Sequence, residues 1–277
     1  MTTVAMTLNQ ALAQAARSVG PVDARTLLAH VLQRDDAHLI AHGDDALDSD
    51  RQHAFDALIG RRGAGEPVAY LTGHREFYGL DFRVTPEVLI PRPETELLVD
   101  LALERLPPRT AAGVLDLGTG SGCVAITIAK QRPRARVVAV DMSRSALALA
   151  QENAAAHGVP NVEFRLSNWF SRLVGERFEL IAANPPYIAV GDPHLTQGDL
   201  RHEPGAALVA GEGGLACLRA ITEAAPAHLD SGGWLLFEHG HDQATRCRDL
   251  LARAGFAGVF SQVDLAGIER VTGGCRA

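Results

Sequence analysis

The sequence predicts a two-part chain, a small all-α module followed by an α/β domain built on a seven-stranded, mostly parallel sheet. Two observations carry this expectation. Up to about residue 73 the apolar residues recur at helical spacing, and from residue 93 onward short β-rich runs alternate with amphipathic segments. Repeated βα units need crossovers that cover both faces of a parallel sheet, so the alternation itself sets the class. The expected divisions are 1–73 for the helical module, 74–92 for a β-hairpin linker and 93–277 for the α/β domain.

Each element has a local cause. Thr7 and Gln10 form a capping-box pattern, and Leu8, Leu12 and Ala15 follow on one helical face until Gly20. Asp23 is the expected cap of a second helix carrying Leu27, Leu28, Val31 and Leu32. A third is expected over 37–41 and a fourth over 50–62, with Phe55, Leu58 and Ile59 inward. Between Glu76 and Pro91, apolar and polar residues alternate around Thr85-Pro86, which suggests a hairpin broken at that dipeptide. Helices are then expected over 94–106, 123–131, 143–157 (capped by Ser143), 215–227 and 243–254. The expected strands are 114–117, 136–140, 162–166, 178–183, 234–238, 259–263 and 269–271.

Charge narrows the function classes. The chain holds 26 cationic and 33 anionic residues; 8 and 12 of them lie at or before residue 90, leaving 18 and 21 after it. Neither part is basic, which argues against a protein that grips a nucleic-acid backbone. No apolar run reaches membrane-spanning length, and the N-terminal segment lacks a basic stretch followed by an apolar core. Cys123, Cys217, Cys247 and Cys275 are widely spaced, so reduced thiols in a cytoplasmic protein are expected, with no metal site.

Two motifs carry chemistry. The first is DLGTGSG, Asp116 to Gly122, between a strand and a helix. Gly118, Gly120 and Gly122 allow a sharp turn and a close ligand approach, with Thr119 and Ser121 between them. Asp141 ends the next strand, where a carboxylate suits both hydroxyls of a ribose. A dinucleotide fingerprint reads G-x-G-x-x-G; here the third glycine comes one residue early. That spacing suits the adenosine and methionine portions of S-adenosylmethionine better than a pyrophosphate.

The second motif is Asn184-Pro185-Pro186-Tyr187, at the carboxyl end of the 178–183 strand. Proline lacks an N–H, so the Asn184 side-chain oxygen and the Pro185 carbonyl offer two acceptors without competing donors. Such a pair matches an –NH₂ whose lone pair is delocalised, with Tyr187 against its flat face. The nitrogen attacks an electrophilic methyl held in line and loses its proton afterwards. Asn184, Pro185 and Tyr187 are the expected catalytic residues.

The chain resembles class I methyltransferases acting on planar nitrogens, and within them the PrmC/HemK family, the release factor glutamine N5-methyltransferases. The resemblance rests on EPVAYLTGHREFYGLDFRV, VLIPRPETE, DLGTGSGCVAI, VDMSRSALALAQENA, NPPYI, HEPGAALVAGEGGL, LLFEHGHDQ and DLAGIERV, in that order, and spans almost the whole sequence. It implies a Rossmann-like domain that binds S-adenosyl-L-methionine, releases S-adenosyl-L-homocysteine and needs no metal. It further implies that Gly118 to Gly122 cradle the cofactor, Asp141 holds its ribose and Trp169 lies beside the adenine. Asn184 would touch both cofactor and substrate, with Pro185, Pro186 and Tyr187 completing a glutamine pocket. The implied substrate is the glutamine of the Gly-Gly-Gln motif in class I release factors, and the N-terminal helices would dock that protein's body.

Glu94 stands where the family often has Asp, and Gly213-Gly214 replaces a more usual acidic-glycine pair. The sister family that methylates a ribosomal-protein glutamine tends to carry R-S-P after L-I-P, where this chain has Arg92-Pro93-Glu94. Adenine-N6 methylation of nucleic acid would need cationic tracks, which the charge does not supply. A non-catalytic cofactor-binding adapter would have no use for an intact Asn184-Pro185-Pro186-Tyr187.

Overall fold

A computed structural model describes residues 6–277; residues 1–5, where the expected helical module begins, lie outside the described residues. The chain forms two compact units. One holds the residues up to His74 together with Thr196–His202, and the other holds Arg75–Leu195 and Glu203–Ala277.

The first unit contains α1 (Leu8–Val19), α2 (Pro21–Leu32), α3 (Asp36–Ala41), α4 (Ser49–Gly63) and α5 (Val68–Thr72). Thr7 and Gln10 make the expected reciprocal capping box at α1. Asp23 does not cap α2. The helix starts at Pro21, whose fixed φ and missing N–H suit a first turn, and Asp23 sits inside that turn. Its carboxylate instead accepts from Arg62 Nε at 2.6 Å, while Arg62 Nη1 donates to Asp199 at 3.0 Å. Leu27, Leu28, Leu39, Leu47 and Phe55 fill the core of this unit.

A hairpin of β1 (His74–Phe77) and β2 (Leu80–Arg83) follows, all but its first residue in the second unit. Its turn lies at Tyr78-Gly79, both with positive φ, rather than at Thr85-Pro86. Two left-handed residues match the twist of paired strands. Tyr78 is held in that backbone by Glu96, which accepts from its N–H at 2.8 Å, and by Asp100, which accepts from its hydroxyl at 2.7 Å. Residues 87–90 form no strand.

After a 3-10 turn (Pro93–Thr95) come α6 (Glu96–Arg105), β3 (Gly113–Leu117), α7 (Cys123–Gln131), β4 (Arg136–Asp141), α8 (Arg144–Ala156), β5 (Val162–Leu166) and β6 (Phe178–Ala183). A short pair, β7 (Ile188–Ala189) and β8 (Val209–Ala210), brackets two 3-10 turns and α9 (Gly205–Leu208). The chain ends with α10 (Gly211–Gly214), α11 (Ala216–His228), β9 (Leu229–Glu238), α12 (Ala244–Arg253), β10 (Phe256–Val263) and β11 (Glu269–Arg276).

The main sheet has seven strands in the order β10-β11-β9-β6-β3-β4-β5. The five from β9 to β5 are parallel, and β11 and β10 are antiparallel. β3 and β4 are almost wholly buried, as a sheet covered on both faces requires. Alternate residues feed two cores. Val114, Val137 and Leu180 pack with Leu98 and Ile126 on one face, and Leu115, Val138 and Ile181 pack with Leu218 and Ile221 on the other. β11 runs five residues beyond its expected end, through Gly273-Gly274. A Cβ at Gly273 would come within 2.5 Å of Leu236, so glycine there allows close strand packing instead of marking a turn.

Asn153 on α8 joins three segments. Its Oδ1 accepts from the Arg83 N–H at 2.9 Å, and its Nδ2 donates to the carbonyls of Arg83 at 3.0 Å and Ser121 at 2.9 Å. The residue is 2% exposed, so water does not replace a lost partner. Asn153→Ala is therefore expected to cost about 2–3 kcal/mol in a urea unfolding experiment. A change below about 0.5 kcal/mol, the usual range for surface substitutions, would show that these bonds do not brace the loop.

Candidate functional site

β3 and β6 are neighbours, yet the chain leaves β3 toward β4 on one side and leaves β6 toward β9 on the other. Their carboxyl ends therefore flank a crevice, the place where open α/β sheets take ligands. A cavity of about 360 Å³ occupies it. Gly118, Thr119, Gly120 and Ser121 line it from the β3 side, Asp141 from β4, Trp169 from beyond β5, and Asn184 and Pro186 from beyond β6. Gly122, Pro185 and Tyr187 are not among its lining residues.

The glycine turn needs its glycines for separate reasons. All three have positive φ: 75° at Gly118, 55° at Gly120 and 85° at Gly122. Gly120 has open space where a Cβ would stand. At Gly122 a Cβ would meet Ile126 at 2.7 Å and Ala150 at 3.1 Å, so this residue serves helix packing beneath the turn. The N–H groups of Gly118 and Thr119 both donate to the Val140 carbonyl, which folds the turn over the end of β4. Asp141 fastens the other side. One oxygen accepts from the Gly120 N–H at 3.0 Å and the other from the Ser143 N–H at 2.9 Å.

Trp169 has a positive φ of 46°, rare for a bulky residue. The Ser167 hydroxyl donates to its carbonyl at 2.7 Å and holds this turn. The indole lies over the glycine turn, 3.4 Å from where a Gly118 Cβ would be.

The Asn184 loop is held from behind by residues that local patterns did not reveal. Asn184 Nδ2 donates to the Thr95 hydroxyl at 3.0 Å, and that hydroxyl donates to Glu238 Oε2 at 2.6 Å. The Tyr187 hydroxyl donates to Glu238 Oε1 at 3.0 Å. The Tyr187 carbonyl accepts from Gln243 Nε2 at 2.9 Å, and Gln243 Oε1 accepts from the Gly240 N–H at 2.9 Å. Gly214 makes room for this contact, since a Cβ there would stand 2.1 Å from the Tyr187 carbonyl oxygen. Burial pushes the Tyr187 phenol well above its ordinary value, with Glu238 adding to the rise. Burial also raises the Glu238 carboxyl, against the Thr95 and Tyr187 hydroxyls, which lower it.

Arg92 and Glu203 form a clamp at the cavity edge. The buried Glu203 carboxylate pairs with the Arg92 guanidinium and accepts the Ile90 N–H at 3.2 Å, pinning the 87–92 strap beside the crevice. His239 is fully buried; its ring bonds Thr272 at 2.8 Å, and burial lowers its pKa. Among the described residues no group of three or more His, Cys, Asp or Glu is arranged to hold a metal ion. The described helices include none long and apolar enough to cross a membrane.

Five relations to known proteins bear on this site. Residues 7–73 match the PrmC N-terminal domain, and residues 95–199 match the Methyltransferase small domain. A release factor glutamine methyltransferase of Xylella fastidiosa is 52% identical over 263 residues, covering 95% of this chain and 96% of that protein. Its counterpart in Burkholderia pseudomallei is 51% identical over 91% of both chains. The solved 16S rRNA N2 G1207 methyltransferase of T. Thermophilus, in complex with AdoMet and guanosine, shares the fold at a TM-score of 0.56 and 22% identity. That match covers 74% of this chain and 50% of the other.

Asp116 lies beneath the glycine turn, 1% exposed, and accepts from the Thr119 hydroxyl at 2.6 Å. Burial first, then the nearby Asp141, pushes its carboxyl up to about 7. An unfolded aspartate titrates near ~4, so the folded state holds this proton more tightly. The stability it contributes is present below that unfolded value and is lost as the pH rises through about 7. Asp116→Asn is expected to melt higher than the parent at pH 8, with the gap closing toward pH ~5. A gap in thermal midpoint that stays constant across that range would mean the carboxyl titrates normally.

Proposed function

The chain belongs to the release factor glutamine methyltransferases, and from that premise we propose that it methylates the N5 amide nitrogen of the glutamine in the Gly-Gly-Gln motif of class I peptide chain release factors, with S-adenosyl-L-methionine as donor. The observation that carries this reading is the facing of two loops across one cavity. The glycine turn stands on one side and Asn184 with Pro186 on the other.

The residues present fit such a donor. The cavity volume falls in the range of small-molecule sites, roughly 300–1,000 Å³. The buried Ser121 hydroxyl lines it without an oxygen or nitrogen partner among the described residues. Gly118 to Gly122 would hold the methionine portion, Asp141 the ribose and Trp169 the adenine. When bound, the donor supplies an electrophilic methyl on a sulfonium centre. Asn184 and the Pro185 carbonyl accept the two hydrogens of the substrate amide and orient its lone pair. Tyr187 stiffens that loop through its hydroxyl and carbonyl bonds. The attacking nitrogen needs no base beforehand, because once methylated it is acidified and sheds its proton afterwards. The reaction then depends on position, for which alignment alone is worth roughly 7–11 kcal/mol. The helical unit docks the body of the release factor, a role supported by its match to the PrmC N-terminal domain.

Purified protein should transfer one labelled methyl to a glutamine of a release factor, and none to ribosomal protein or DNA offered separately. Asn184→Ala should keep donor affinity by calorimetry and lower the rate of transfer at least ~100-fold. Equal labelling of DNA or ribosomal protein would overturn the substrate assignment, and an active Asn184→Ala would overturn the site.

A further inference from the structure

A carboxamide has two ends of similar shape and opposite chemistry: the oxygen accepts, and the nitrogen donates. An asparagine that receives the hydrogens of a substrate –NH₂ must therefore be held with its oxygen toward the substrate. Rotated by half a turn, it would present donors to donors.

The selection comes from two residues far away in the sequence. Thr95 and Glu238 are 2% and 1% exposed, so no bulk water competes for their bonds. The Thr95 and Tyr187 hydroxyls both favour the ionised form of Glu238 against the burial that raises its carboxyl, and that form only accepts. Glu238 takes one hydroxyl on each oxygen, Thr95 at 2.6 Å and Tyr187 at 3.0 Å. The Thr95 hydroxyl has a single proton, and that proton points to Glu238. Only lone pairs remain on its other side, and these accept from Asn184 Nδ2 at 3.0 Å. We propose that Glu238 and Thr95 are positioning residues that set the orientation of the Asn184 carboxamide, tying its nitrogen down and leaving Oδ1 to receive the amide being methylated. The same carboxylate fixes the Tyr187 ring at the far end of the loop, so one buried acid orders both ends of the motif. This inference rests on the assignment of Asn184 as the acceptor for the reacting nitrogen.

Thr95→Val keeps the shape and removes the hydroxyl. The expected result is a fall in kcat of roughly 100-fold, with donor affinity and KM for the release factor altered less than ~3-fold. Thr95→Ser restores the hydroxyl and should recover most of the rate. Glu238→Gln places a donor against a hydroxyl that must then turn, and it should lower kcat in the same way. A readout without turnover accompanies these assays, the side-chain amide NMR signals of Asn184, identified by their loss in Asn184→Asp. In the parent one amide proton should be protected from exchange, and in Thr95→Val that protection should vanish. Unchanged kcat in both Thr95→Val and Glu238→Gln, or unchanged Asn184 protection in Thr95→Val, overturns the proposal. A parent protein inert toward release factor, yet with protection that Thr95→Val abolishes, would refute the substrate assignment and leave the orientation mechanism supported.

Discussion

The crevice between β3 and β6 is the constraint on which the rest of the second unit depends. Two parallel strands side by side, each continued in an opposite direction, leave a gap over their carboxyl ends that neither connection covers. The residues of the proposed chemistry stand at or within five positions of a strand end around that gap: Gly118 to Gly122 after β3, Asp141 at the end of β4, Trp169 after β5 and Asn184 to Tyr187 after β6. The five parallel strands are rigid because both their faces are packed, and so the loops inherit fixed starting points. What remains is to hold the loops themselves, which cannot use sheet hydrogen bonds.

They are held by buried polar groups, and the choice of partner is consistent. Asp116 and Glu238 meet hydroxyls, and Asn153 and Gln243 meet backbone groups. Arg92 with Glu203 is the exception, at the edge of the cavity where solvent reaches the guanidinium. A hydroxyl bonded to a buried carboxylate satisfies it without bringing in a second charge to be desolvated. It also has a direction, since one proton and fixed lone pairs specify which neighbour donates and which accepts. A network of such bonds is rigid when complete and expensive when any member is missing. The raised Asp116 and Glu238 carboxyls reflect the cost of that arrangement, which lies next to the site that benefits from it.

The legibility of this structure in its sequence follows the range of the interactions. The capping box at Thr7, the Ser143 cap, the βα alternation and the glycine turn all act within a few residues, and each was visible as spacing. Asp23 misled because a capping residue and a first-turn acid look alike next to Pro21; its partner Arg62 lies 39 residues on. Tyr78-Gly79 gave no hairpin signal, because the left-handed tyrosine is held by Glu96 and Asp100 rather than by any turn preference of its own. Thr95 and Gln243 escaped for the same reason. Their partners are 89, 143 and 56 residues away, and no periodicity records such pairings. The sequence did place Asn184 and Asp141 at strand ends, where both line the cavity. One glycine read as a turn former, Gly122, is also a packing residue, set against Ile126 and Ala150.

The charge of the cavity explains why a glycine turn so close to a dinucleotide fingerprint suits a different ligand. A pyrophosphate needs a helix N-terminus with open N–H groups and a neutral or basic surround. Here the ionisable oxygen and nitrogen groups lining the crevice are three acids, Glu87, Asp116 and Asp141, and one cation, Arg92, already paired with Glu203. The Gly120 N–H and the Ser143 N–H are both taken by the Asp141 carboxylate. Bringing two phosphate charges against these acids would add repulsion in a partly enclosed, weakly screened space. A ligand carrying a sulfonium and an ammonium, as the proposed donor does, would instead be attracted to these acids. The missing residue between the last two glycines thus goes with a turn held by acids, Asp141 through the Gly120 N–H and Asp116 through the Thr119 hydroxyl.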